Sequence, residues 1–203
     1  SVGQHYMDIT VYSCEEPDKY PELEFGCIEK HENKYCVQLF NKHDNDDLLF
    51  ATPVVTLGSD VDSANPPSEL LVRCNDDLET LIKHYKQICL DEAVQQKKVW
   101  FSRDFDTAML QDLWKDNIKK NKTIKFKVSS SEEEPFTHYG TDGAPTTALL
   151  PKDTDVKLLV RLEALWFSRS NFGATYTVLQ LMDASAIQEA PKRVRHVVTE
   201  KMI

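Results

Sequence analysis

The sequence predicts an α+β fold that is mostly antiparallel β, and three observations carry that expectation. Residues Val156 to Met182 (VKLLVRLEALWFSRSNFGATYTVLQLM) read as two long strands around a short turn at Ser168 to Gly173. Helical spacing is confined to the middle of the chain. The other β-rich runs are short and separated by polar turns, which favours antiparallel pairing over alternating βαβ units.

Residues 24–57 hold two or three short strands broken by the polar turns HEN and NKHDND. The runs YCVQLF and LLFATPVV are expected to pair as a hairpin with an acidic tip, with Pro53 at a strand edge or bulge. Residues 58–68 (GSDVDSANPPS) are a loop by composition, and ELLVRC (69–74) reads as a strand. Leu78, Leu81, Ile82, Tyr85, Ile88 and Cys89 then recur at helical spacing, predicting a helix over about 76–95. Asn75 or Asp76 is its expected N-cap, with Glu79 completing a capping-box-like pattern. A shorter helix is expected over 104–119. In TIKFKVS (123–129), Ile124, Phe126 and Val128 alternate with Lys125 and Lys127, the period of a half-buried strand. Residues 129–147 form a long polar loop, and long loops in compact domains are usually functional or mobile. After Ala184 the chain reads as a basic tail, helical or disordered. The expected organisation is one domain over 1–186, with an acidic part at 1–80, a helical insertion at about 76–119 and the tail at 187–203.

The chain has 203 residues, 41% of them hydrophobic, which suffices for a sizeable core. No run of about 18 apolar residues is present, so no membrane-spanning helix is expected. The opening SVGQHYMDIT lacks the charged and apolar regions of a secretory leader. Its first Ser reads as a processed or engineered start. The five cysteines are odd in number and none forms C-x-x-C, so reduced thiols in an intracellular protein of the cytoplasm or nucleus are expected.

Net charge is −9, but it is unevenly spread. Residues 1–80 carry 17 acids and 5 bases, whereas residues 97–127 carry nine bases (Lys97, Lys98, Arg103, Lys115, Lys119, Lys120, Lys122, Lys125, Lys127) and four acids. That asymmetry allows a basic track on an acidic body, and equally a lysine-rich solvated face.

Enzyme signatures are lacking: no Walker A, dinucleotide fingerprint, H-E-x-x-H or G-x-S-x-G occurs. The six histidines are scattered. Asp44, Asp46 and Asp47 beside His43 lack the later Glu and turn Gly of a calcium loop and read as a solvated acidic turn. No catalysis, metal or cofactor is therefore expected.

Aromatic residues interleaved with bases offer a different chemistry. Trp100, Phe101 and Phe105 alternate with Lys97, Lys98 and Arg103, while Trp166, Phe167, Phe172 and Tyr176 alternate with Arg161 and Arg169. Single-stranded nucleic acid presents stackable bases and a chain of phosphates, and this mixture serves both. Core packing is the competing reading of each ring, and it is preferred for Trp114 and Phe126. Consecutive Trp166 and Phe167 must point to opposite faces of a strand, so one of them faces out; the same reasoning is applied to Trp100 and Phe101. The repeat of W-F-S-R at 100–103 and 166–169 is taken as coincidence.

Two phrases, LLFATPVVTL (48–57) and VRLEALWFSRSNFGATYTVLQL (160–181), together with the helix between them, resemble the single-stranded DNA-binding proteins of nucleocytoplasmic large DNA viruses. The resemblance spans about residues 30–185 and is most distinctive in the second phrase. It implies an OB-like barrel with one or two packed helices that binds single-stranded DNA without sequence preference. The matched positions are Trp166, Phe167, Phe172, Gly173 and Tyr176. The chain departs from the pattern in its acidic N-terminal third and its 129–147 loop.

The expectation is a non-enzymatic, viral single-stranded DNA-binding protein of replication, recombination or repair, working at the viral replication site. Trp100, Phe101, Trp166, Phe167, Phe172 and Tyr176 would meet bases, and Arg103, Lys119, Lys120, Lys122, Lys125, Lys127, Arg161 and Arg169 would meet phosphates. RNA, further copies of the chain and replication proteins are partners this reading allows, and a membrane is not. The alternative is a viral structural or assembly protein with an aromatic protein–protein interface.

Overall fold

The computed structural model describes residues 5–8, 10–184 and 195–198. Along the chain come β1 (His5–Asp8), β2 (Val11–Ser13), a 3-10 turn (Pro17–Lys19), β3 (Leu23–His31), β4 (Lys34–Asn41), β5 (Leu48–Ala51), β6 (Val55–Leu57), β7 (Val61–Asp62) and β8 (Glu69–Arg73). Three helices follow, α1 (Asp76–Gln95), α2 (Lys97–Trp100) and α3 (Thr107–Leu113). The remaining strands are β9 (Thr123–Val128), β10 (Thr137–Tyr139), β11 (Leu149–Leu150), β12 (Asp155–Phe167), β13 (Phe172–Asp183) and β14 (Arg195–Val198).

Strands β12, β13, β9, β8 and β6 close into a five-stranded barrel, with β6 returning to β12. Every pairing in the ring is antiparallel except β13 with β9. This is the mostly antiparallel, OB-like α+β architecture that the sequence predicts. Strand β12 carries the closure. One of its edges takes β13 throughout, and the other takes β6 at 155–156, β5 at 159–162 and β4 at 164–167 in turn. Strand β3 extends the sheet beyond β4.

Alternating residues fill the interior: Val156, Leu158, Val160, Leu162, Leu165 and Phe167 from β12, and Phe172, Ala174, Tyr176 and Val178 from β13. From β9, Ile124, Phe126 and Val128 point inward while Lys125 and Lys127 point outward, as the period of two predicts. Irregularities at Leu159/Val160 and Leu162/Ala164 break the β12–β13 register. Leu159 and Leu179 then meet Leu49 and Val11 in a small apolar cluster of their own.

Helix α1 spans the predicted residues, and the Asn75 side chain caps it by accepting from the Leu78 N–H at 3.0 Å. Glu79 lies one position too late for a capping box and pairs instead with Lys83 and Lys122. The apolar stripe of α1 joins the barrel core, and Tyr85 donates to the Pro21 carbonyl at 2.9 Å.

Three expectations are corrected. The runs at 35–40 and 48–55 do not form a hairpin: β4 pairs with β3, β5 pairs with β2, and both join β12 separately. The second helix is shorter than 104–119, because Trp114 turns to extended backbone and residues 114–118 run alongside β13 and β9. The segments 58–68 and 129–147 are not loop throughout: they carry the short strands β7 and β10, and the Ser63 hydroxyl and His138 Nδ1 share a 2.8 Å hydrogen bond between them. Of the basic tail from 187, only β14 is described, paired with β1; the rest lies outside the described residues.

Phe172 is fully buried between Phe101, Trp114 and Phe167, so Phe172→Ala should cost about 3–5 kcal/mol, read from urea unfolding curves. His138 is buried, and burial lowers its pKa against the opposing pull of Asp183 and the Ala148 backbone. The native state therefore favours neutral imidazole, a contribution complete above about pH 6.5 and lost as pH falls below it while the unfolded chain protonates. Stability should drop on acidification from pH 7 to pH 5.5, and less so in His138→Gln.

Candidate nucleic-acid interface

The outer wall of the barrel between β4 and β9 is where exposed bases and an outward aromatic meet. On β12, Leu165 and Phe167 face in, so Trp166 faces out and is half-buried. Its cross-strand neighbours are Cys36 on β4 and Gly173 on β13. A Cβ at position 173 would lie 3.1 Å from the indole ring and 3.1 Å from the Lys115 carbonyl oxygen. Absence of a side chain at Gly173 thus lets the indole lie across β13. The next row of the wall is low, with Gln38, Ala164 and Thr175 in register.

Basic residues reach this wall because of how α3 ends. From Trp114 the chain follows the start of β13, the Lys115 N–H donating to the Phe172 carbonyl at 2.8 Å. Asn117 donates to the Ala174 carbonyl, and Ile118 bridges to Ile124. Lys115 is therefore the neighbour of Gly173, Lys119, Lys120 and Lys122 sit in the exposed turn before β9, and Lys125 and Lys127 project from β9. Lys122, Lys125 and Lys127 pair with Glu79, Glu69 and Glu163 at 3.5–3.6 Å. Such exposed pairs contribute little, and a phosphate can replace the carboxylate. Lys115, Lys119, Lys120, Arg103 and Arg169 make no ion pair among the described residues.

Four of the residues expected to meet bases lie in the core. Trp100 (9% exposed), Phe167, Phe172 and Tyr176 are buried. Trp100 packs on Phe25 and Phe167, and Phe167 stacks on Phe172 at 5.8 Å. Phe101 is half-buried against Phe105, Phe167 and Phe172. The strand argument that separates Trp166 from Phe167 fails for Trp100 and Phe101, which lie at a helix end and turn the same way. The rings that could have stacked bases instead plug the core beside the β12–β13 hairpin. The two W-F-S-R phrases meet there, with Phe101 and Phe167 5.5 Å apart.

Arg161 is likewise withdrawn. Its guanidinium pairs with Asp47 (3.3 Å), Glu134 (2.5 Å) and Glu163 (3.2 Å), and its side chain is only 15% exposed. Burial pulls its pKa down, but the three carboxylates outweigh that and hold it above its ordinary value. Asp47 is thus part of an ion cluster rather than a solvated turn, and burial raises its pKa against the pull of Arg161. The cluster ties the acidic tip at 47 and the loop at 134 to β12. Glu163 also pairs with Lys127 at 3.6 Å, so the cluster stands where the lysine row ends.

Tyr35 was not foreseen. It continues the inward alternation of Val37 and Leu39 and so reads as core, yet it is 49% exposed because β3 and β4 extend past the packed interior.

No protein-family model matches the chain, and no curated protein matches its sequence. Solved structures with a similar chain course include the single-stranded DNA-binding protein from bacteriophage Enc34, at TM-score 0.38 and 8% identity over 89% of this chain and 96% of that one. The same phage protein in complex with single-stranded DNA matches at TM-score 0.37 and 8% identity over 84% of this chain and 98% of that one.

Gly173 offers a direct test of the wall. Gly173→Ala should push the Trp166 indole outward by a few tenths of an ångström or more, read as a red shift and easier acrylamide quenching of tryptophan emission. Trp100 and Trp114, both buried, should contribute an unchanged background.

Proposed function

We propose that this chain binds single-stranded DNA without sequence preference, along the outer wall of β4, β12, β13 and β9. The observation that carries the reading is the half-exposed Trp166, laid over Gly173 with Lys115 beside it and Lys125 and Lys127 on the strand beyond. An indole face accepts any base, and stacking of this kind is worth about 1–3 kcal/mol per base. The low row of Ala164 and Thr175 leaves room for the backbone, and the lysines supply its counter-charge. A duplex keeps its bases stacked inside and would gain little from the indole. The carboxylate cluster around Arg161 repels phosphate, which gives the track a border and keeps the acidic part of the chain off it. In this reading the protein is a non-enzymatic binder acting in viral DNA replication, recombination or repair.

The test is fluorescence anisotropy with a labelled oligo-dT of about 30 nucleotides against a duplex of equal length, across a salt series. The single strand should bind more tightly and quench tryptophan emission. If Lys115, Lys125 and Lys127 each neutralise one phosphate, log K should fall against log salt with a slope of about −2. Trp166→Ala should weaken binding roughly 5- to 150-fold, and Phe167→Leu should not act through the same contact. Absence of single-strand binding at low salt would sink the reading and leave the wall as a surface for a protein partner.

A further inference from the structure

We propose that Tyr35 is a second base-stacking group of the same site, so that a bound strand leaves the Trp166 wall by turning over the rim of the β3–β4 overhang. The inference rests on the single-stranded DNA reading above and extends it to residues outside the wall. Among the described residues Tyr35 is the one aromatic side chain in the exposed class, at 49% exposure. The other rings whose burial is described are buried or half-buried, and the Tyr35 side chain makes no ring contact or hydrogen bond among the described residues. Its position is specific. Cys36 pairs with Trp166, and Tyr35 pairs with Phe167, so the two candidate rings sit at adjacent rungs of the β4–β12 ladder. Adjacent rungs point to opposite faces of the sheet, which puts Trp166 on the wall and Tyr35 on the far side of the rim.

The surroundings suit a phosphate chain crossing between them. Lys30 is the cross-strand partner of Tyr35 on β3, and Lys34 precedes it; both are exposed and neither makes an ion pair among the described residues. Arg169, also exposed, stands in the turn that follows Phe167. The nearby acids are Glu29, which pairs with His31 at 3.5 Å, and Glu32 in the β3–β4 turn. Phe167 packs beneath the rim against Trp100 and Phe101, so the ladder that carries both rings is fixed from inside.

The experiment compares Tyr35→Ala, Tyr35→Phe and Trp166→Ala with the wild-type chain, using the same labelled oligo-dT. Tyr35→Ala should weaken binding roughly 5- to 100-fold while leaving the tryptophan quench at saturation and the thermal midpoint unchanged. Tyr35→Phe, which keeps the ring, should bind within about twofold of wild type. Irradiating the wild-type complex with an oligonucleotide carrying 5-iodouracil should crosslink the peptide that holds Tyr35. Wild-type affinity in Tyr35→Ala, or crosslinks confined to the Trp166 peptide, would overturn the rim contact while the wall reading stands. Failure of the wild-type chain to bind single strands would overturn both.

Discussion

The pairing of β12 on both edges is the constraint on which the rest of the molecule depends. Thirteen residues of one strand hold β13 on one side and β6, β5 and β4 in succession on the other. A strand used this way cannot slip, because a one-residue shift would turn its inward leucines and valines to water and its outward Arg161, Glu163 and Trp166 into the core. Barrel closure, the position of the wall and the identity of the outward aromatic are all fixed by that one register. Each of the two irregularities in the β12–β13 ladder shifts the alternation by one residue, the inward set passing from Val178 to Leu181 on β13 and from Leu162 to Leu165 on β12.

Electrostatics divides the outer face into two parts. Around Arg161, three carboxylates converge on one guanidinium and fasten two acidic segments to the barrel. Breaking a partly buried cluster of this kind leaves charges uncompensated, so its members are committed to structure. Around Trp166 the cations are exposed, and their pairs are long or absent. An acidic protein can in this way present a locally basic wall, because charges that pair with one another are spent and those left over set the local field.

The aromatic content of the chain is divided by the same geometry. Phe167, Phe172, Trp100 and Phe101 form a packed group beside the hairpin, and Trp166 and Tyr35 are turned outward on either side of it. Both outward rings are held by strands whose neighbouring residues are anchored in that group. Rigid support of this kind limits the side-chain freedom that these rings would lose on contact with any partner.

Local pattern alone determined much of this protein. Helix α1 with its cap narrowed to Asn75 or Asp76, the in–out alternation of β9, the hairpin of β12 and β13 and the opposite facing of Trp166 and Phe167 were all legible, because each depends on period or capping within a few residues. Tertiary structure decided the rest. Which strand β4 and β5 would join was not legible, since a pairing between residues more than a hundred positions apart leaves no local trace. The burial of Tyr176 and Phe172, the capture of Arg161 and the exposure of Tyr35 were hidden for the same reason. Composition records that an aromatic or an arginine is present, and only the packing around it settles whether it faces water, a carboxylate or another ring.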